Sequence, residues 1–320
     1  MAQIVGLATP ISREVIPVTA PNPRYCNQPL SLNRPTIENQ RFFDVNDSDV
    51  LQLIEYCYAW YASLHNVELV QLVVHPDAIL CSANDLDGKA SKFISEAHNA
   101  IVRALNTQTG HSGPMIKPGP LYDPVILDKK HEIQELAEVA ASPTIAIQRD
   151  SIGYPGAIFT IGSRKLTRRV RRPDCLNPKT YPMEEITYTR AKPQLQKKDS
   201  WTTIRKRHNK ARLAIEARNR QALLAAGKRY IGIDSPKLTK PGVVHKERLS
   251  PPIGPRYRGA TALVETARKQ QRHFRREYRN CLLALRAGRT EIVWPPGTNF
   301  HHNVNGFPRR PGDWLNPPPP

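Results

Sequence analysis

The stretch VVHPDAILCSANDLDG, residues 73–88, decides how this chain is read. It continues VELVQLVV (67–74), which is rich in β-branched residues and apolar at nearly every position. That is the pattern of a central strand buried on both faces. The run ends in NDLDG (84–88), a cluster of turn-forming residues. The stretch therefore reads as a buried strand running into a turn.

Working outward, PTIENQRFFDV (35–45) predicts a short strand. NDSDVLQLIEYCYAWYASLHN (46–66) predicts a helix, with Asp47 or Ser48 as the cap that takes a free amide of the first turn. Leu51, Ile54, Tyr58, Tyr61 and Ala62 recur every three or four residues and make its apolar face. KASKFISEAHNAIVRALN (89–106) is a second amphipathic helix on Phe93, Ala97, Ile101 and Leu105. After a Gly/Pro-rich loop at 109–120, DKKHEIQELAEVAAS (128–142) is a third, stopped by Pro143. GAIFTIG (156–162) and KLTRRVRR (165–172) read as a strand pair. These elements make one α+β sandwich.

The remainder differs. DSWTTIRKRHNKARLAIEARNRQALLAAG (199–227) predicts a long basic helix capped by Asp199 or Ser200, followed by a Pro-rich linker at 235–257. ATALVETARKQQRHFRREYRNCLLALRAG (260–288) predicts another, with an apolar stripe of Leu263, Ala267, Phe274, Tyr278, Leu282 and Leu285. EIVWPPGTNF (291–300) is a strand-like end. The organisation expected is an irregular arm at 1–34, an α+β domain at 35–190, a basic helical extension at 191–307 and a Pro-rich tail at 308–320.

Composition narrows the function classes. Of 320 residues, 39% are hydrophobic and 30 are proline, about twice the usual share, so long irregular connections are expected. No run of about 18 apolar residues occurs, so no membrane role is expected. No signal peptide is visible at the start. Five scattered cysteines (Cys26, Cys57, Cys81, Cys175, Cys281) without zinc-knuckle spacing fit reduced thiols in a cytoplasmic compartment. No Gly-rich phosphate loop and no Gly-x-Ser-x-Gly elbow is present.

Charge is the informative quantity. Residues 151–320 hold 36 Lys+Arg against 11 Asp+Glu, whereas residues 1–150 hold 11 against 17. A strongly basic back half behind an acidic front half points to a polyanion partner, most simply nucleic acid. On the 260–288 helix the arginines lack acids at i±4, so they are not paired with one another's neighbours and are available to phosphate. The expected nucleic-acid contacts are Arg164, Lys165, Arg168, Arg169, Arg171 and Arg172, then Arg205, Lys206, Arg207 and Lys210, then Arg272, Arg275, Arg276 and Arg279.

The order of elements and several motifs resemble a known family. The motifs are LHNVELVQLVV, DLDGKASKFISEAHNAIVRALN, EIQELAEVAASP, RRPDCLNP with YPMEEITY, and LLALRAGRTEIVWPPGTNFHHNV. Together they resemble the REP-associated tyrosine transposases, of the HUH single-strand nuclease superfamily, in a longer-tailed branch. The likeness runs roughly over 35–305. It implies a ferredoxin-like sandwich, an antiparallel sheet with helices on one face. It also implies single-stranded or hairpin DNA as the ligand.

The family chemistry uses two histidines spaced by one hydrophobic residue on a strand. They hold Mg2+ or Mn2+ on the scissile phosphate, which a helix-borne tyrosine attacks to form a phosphotyrosine link. On this chain the histidine positions fall on Ala78 and Leu80, the tyrosine on Glu138, and an accompanying asparagine on Ser142 ahead of Pro143. Ala and Leu offer no lone pair to a metal, and a carboxylate does not replace a phenol as nucleophile. No catalytic residue, metal ligand or cofactor is therefore expected.

His75 and Asp77 are also two apart, but their odd offset from Ala78 and Leu80 predicts the opposite sheet face, as strand-end surface residues. Tyr122 is a loop residue that could substitute as nucleophile; Tyr56, Tyr58 and Tyr61 read as packing residues, and His301 and His302 as too close in sequence to chelate together. The favoured reading is an inactive transposase-like protein that keeps nucleic-acid binding. Two others stand beside it: an active single-strand DNA transposase or endonuclease with displaced catalytic residues, and a basic RNA-binding or scaffold protein on the same fold. Oligomeric state is not legible.

Overall fold

The computed structural model describes residues 26–37, 40–117, 124–146, 151–227, 256–289, 291–296 and 298. An antiparallel sheet holds β1 (Gln28–Pro35), β2 (Val67–His75) and β3 (Ala78–Asp85) in the order β1-β3-β2. The stretch 73–88 is thus two strands, not one. Pro76–Asp77 is a two-residue hairpin turn, and His75 stands directly across from Ala78. Proline suits that place because its φ is preset for a turn and it has no N–H to waste. The turn's carbonyls are used: Pro76 O accepts from Phe43 N at 3.0 Å and Asp77 O from Thr36 N at 2.8 Å.

The central strand is therefore β3. β2 is largely apolar for another reason, since irregular chain covers its outer edge. Leu72 exchanges backbone hydrogen bonds with Phe159 at 2.9 and 3.2 Å, and Ala191 N donates to Leu69 O at 2.8 Å. GAIFTIG thus does not pair with the strand that follows it. β5 (Thr167–Arg171) pairs with β6 (Glu185–Thr189) instead. β1 lies in the segment read from sequence as an irregular arm, and residues 40–44, expected as strand, run irregularly.

Helices cover both sheet faces, where one was expected. α1 (Ser48–Leu64) and α2 (Ala90–Thr109) lie on the face that carries Leu30, Leu32, Leu72 and Cys81. Leu53, Ile54, Tyr58, Phe93 and Ile101 are buried there, each worth about 1.5–3 kcal/mol in removed apolar surface. Asp47 caps α1 by accepting from Asp49 N at 2.8 Å. Asp85, at the end of β3, accepts from Lys89 N at 2.8 Å and Ala90 N at 2.9 Å and so starts α2.

α3 (Lys129–Ala141), continued by the short α4 (Pro143–Ala146), lies on the other face. α5 (Trp201–Ala225) runs along α3, with Ile204 against Ile133 and Leu136, and Ile215 against Ala137 and Ala141. The basic helix assigned from sequence to the extension is therefore part of the same packed body. β4 (Pro124–Ile126) pairs in parallel with β7 (Arg256–Arg258). α6 (Thr261–Arg286) buries Phe274, Tyr278 and Leu282 against Ile292 and Trp294 of the irregular segment 291–296. Among the described residues no helix is long and apolar enough to cross a membrane.

Candidate nucleic-acid interface

The alternation of β3 turns Ala78, Leu80, Ser82 and Asn84 toward α3, the layer in which the family resemblance places its chemistry. This layer is polar. Ser31 Oγ donates to Glu135 Oε1 at 2.6 Å, and Gln71 Nε2 donates to Ser82 Oγ at 3.2 Å and Leu136 O at 3.0 Å. His75 belongs to it too. The expected placement on the opposite face is overturned by the hairpin, which makes His75 the cross-strand partner of Ala78. Nor is His75 a surface residue: it is 2% exposed.

His75 Nε2 and Ser142 Oγ are 2.7 Å apart, and Ser142 Oγ donates to Val139 O at 2.6 Å. The serine's proton is committed to that carbonyl, so the imidazole is the donor in the pair. That is the reverse of the polarity a general base needs. His75 Nδ1 is buried without a partner among the described residues, and the Tyr154 ring stacks at 5.8 Å. Burial pushes the imidazole down to about 4, so it is neutral at physiological pH.

Glu138, where the sequence resemblance would put a tyrosine, is spent on an ion pair. Its Oε2 is 2.6 Å from Arg258 and its Oε1 accepts from Gln134 at 3.1 Å. Burial raises its carboxyl, and the hydrogen bonds from Arg258 and Gln134 outweigh that and hold it below the ordinary range. Arg258 also stands 2.6 Å from Glu135 Oε2. At the start of the same helix Glu132 is 2% exposed, accepts from Leu195 N at 3.1 Å through Oε1, and has no hydrogen-bond partner for Oε2 among the described residues. Burial pushes it up to about 7. Among the described residues no cluster of three His, Cys, Asp or Glu could hold a metal. Tyr122, His301 and His302 lie outside the described residues. Tyr56 and Tyr58 are buried and Tyr61 half-buried, as packing residues.

The basic residues separate into three groups. On β5, Arg168 is committed to Glu55 through two hydrogen bonds at 2.6 and 2.8 Å, and Tyr188 Oη joins the same carboxylate at 2.7 Å. Arg169 and Arg171 lie exposed beside Glu185 at 3.9 Å and Glu184 at 3.1 Å, and Arg172 donates to Tyr181 O at 2.7 Å. On α5, Arg207 pairs with Asp199 at 2.8 Å, Lys206 and Lys210 are exposed, and Arg205 turns back toward exposed Arg164 and Lys165.

On α6, Arg272, Arg275, Arg276 and Arg279 are all exposed; of the expected apolar stripe Ala267, Phe274, Tyr278 and Leu282 are buried, Leu285 is half-buried and Leu263 is exposed. Arg276 contacts His273 Nδ1 at 3.1 Å. None of the four meets a carboxylate among the described residues. Two arginines with structural roles, Arg190 and Arg258, escape sequence reasoning, because their partners lie 25 and 120 positions away. Comparison with protein-family models, with curated proteins and with solved structures gives no match.

Proposed function

We propose that this chain binds nucleic acid, single-stranded or hairpin DNA, on a ferredoxin-like HUH scaffold of REP-associated tyrosine transposase type that has lost its chemistry. The observation that carries the reading is the basic face of α6. Its seven Lys+Arg stand against two Asp+Glu. Phe274, Tyr278 and Leu282 are already used internally, and Arg272, Arg275, Arg276 and Arg279 are turned to solvent. A guanidinium forks onto phosphate oxygens, and such contacts hold any sequence. The scaffold reading is supported by the sheet order β1-β3-β2, with α1 between β1 and β2 and with α2 after β3. The loss of chemistry is supported by Ala78 and Leu80, and by Glu138 being tied to Arg258.

The test is a labelled hairpin oligonucleotide with Mg2+ or Mn2+. The protein binds it and forms no covalent adduct; an adduct abolished by one Tyr→Phe change overturns the inactive reading. Log affinity falls with log salt by roughly 0.7 per phosphate contact on a single strand. Replacing the four α6 arginines by Gln lowers that slope by about 2–3 units and weakens all sequences alike. An unchanged slope with unchanged circular dichroism means that these arginines do not grip phosphate.

A further inference from the structure

The turn between Phe159 and β5 gathers more positive charge than its surroundings balance. Thr160–Lys165 folds on itself: Ser163 N donates to Thr160 O at 3.0 Å, and Thr160 N to Ser163 Oγ at 3.2 Å. Arg190, just past the end of β6, is 2% exposed and fills the turn from behind. Its guanidinium donates to Thr160 O, to Ser163 O at 2.9 Å and to Lys165 O at 3.2 Å. It lies 5.7 Å from the Phe159 ring centre and 5.9 Å from that of Trp201. Arg205, one turn into α5, stacks on Trp201 at 5.5 Å and donates to Ser163 O and Arg164 O, both at 3.2 Å.

Neither guanidinium meets a carboxylate among the described residues. The positive charges that act on Arg190 are those of Arg205 and Arg168, and Arg168 is already matched by Glu55. Arg205 Nε is buried with no partner among the described residues. Arg164 and Lys165 stand exposed on the same turn. Carbonyl oxygens and aromatic faces satisfy the hydrogen-bonding needs of buried cations but do not cancel their charge. An anion seated at Arg205 does both.

We propose that the Thr160–Lys165 turn is a phosphate-binding site, in which Arg205, Arg164 and Lys165 take a phosphodiester group of the bound strand and Arg190 is the positioning residue behind them. This rests on the nucleic-acid reading and adds a grip on the sandwich itself, separate from α6. Trp201, already flanked by two guanidinium groups, carries Arg205 as a stacked and preorganised fork.

The experiment uses the full chain with a labelled oligothymidylate, and with inorganic phosphate as a second probe. The readouts are the salt slope and the Arg205 Nε–H resonance, assigned by its loss in Arg205→Lys. Addition of oligothymidylate shifts that resonance, and R164Q/K165Q/R205Q lowers the slope by about 2 units, roughly 0.7 per contact. Because Arg205 also packs, R164Q/K165Q alone serves as a variant that leaves the fold untouched, and it lowers the slope by about 1.4. If oligothymidylate binds with a slope that depends on α6 but not on these residues, the site is overturned and the general function stands. If no oligonucleotide binds, the general function fails. The phosphate titration then decides the site alone: a shifted Nε–H supports it and an unmoved one overturns it.

Discussion

Three buried histidines and one buried glutamate set the pH response of this protein. Burial pushes His75 to about 4, His98 to about 3 and His208 to about 4, against an ordinary value near 6.5. The unfolded chain takes up protons on these rings that the folded chain refuses. Their stabilisation is present above about pH 6.5 and is lost as pH falls toward 4. Glu132 runs the other way. Its folded carboxyl, pushed up to about 7, keeps a proton that the unfolded chain has lost, so its contribution fades as pH rises from about 4.3 through 7. Glu132→Gln keeps an acceptor for Leu195 N and cannot ionise. It should gain on the order of 3 kcal/mol relative to the parent between about pH 4.5 and pH 8, measured as urea midpoints. A midpoint difference that is flat with pH would mean that Glu132 does not hold its proton.

At the scale of elements, one buried carboxylate pins the β5–β6 hairpin to α1, beside the hydrogen bond from Gln52 Nε2 to Arg171 O at 3.0 Å. Glu55 takes Arg168 and Tyr188 together, with side chains 9% and 27% exposed for the ion pair. Glu184 and Arg171 on the same hairpin are 71% and 72% exposed. Glu55→Gln strands a partly buried guanidinium and should cost on the order of 3 kcal/mol; Glu184→Gln should change stability by less than about 0.5 kcal/mol. Equal effects in urea denaturation would overturn this division. The helices were legible in the sequence because their caps and apolar spacings are local: of the two candidates offered at each end, Asp47 caps α1 and Ser200 caps α5. The hairpin was not read, although His75, Pro76 and Asp77 interrupt the apolar run, because the turn is only two residues long and Val74 and Ile79 on either side are buried as they would be in one continuous strand. β1 was missed because QPLSLNRP has no β-branched residue, and its strand form depends on pairing with β3. Of the candidate site, the charge of α6 could be read directly. The cluster around Arg190 could not, since it needs the fold to bring residues 160–165, 190 and 201–205 together.

Over the whole molecule, the segment after β7 is what ties α6 to the sandwich. Arg258 clamps Glu135 and Glu138, Leu127 N donates to Arg258 O at 2.8 Å, and Ala260 N donates to Asp128 Oδ2 at 2.9 Å. Gly259 passes so close to Leu127 that a Cβ there would stand 2.7 Å from it. These ties join residues more than a hundred positions apart, whereas the β2–β3 hairpin joins near neighbours. Closing so long a loop is slow, and the strap is expected to open as a unit of its own while the sheet stays shut. Amide hydrogen exchange reads this directly. Arg258→Gln should speed exchange at Leu127 and Ala260 by about tenfold or more while amides of β3 keep their protection, the two buried-side contacts being worth at least about 1.4 kcal/mol. Equal acceleration in β3 would mean that strap and sheet open as one. Glu135 and Glu138, the two carboxylates of that clamp, would then govern how long the basic helix stays docked, acting as a clock for the lifetime of a surface neither of them belongs to.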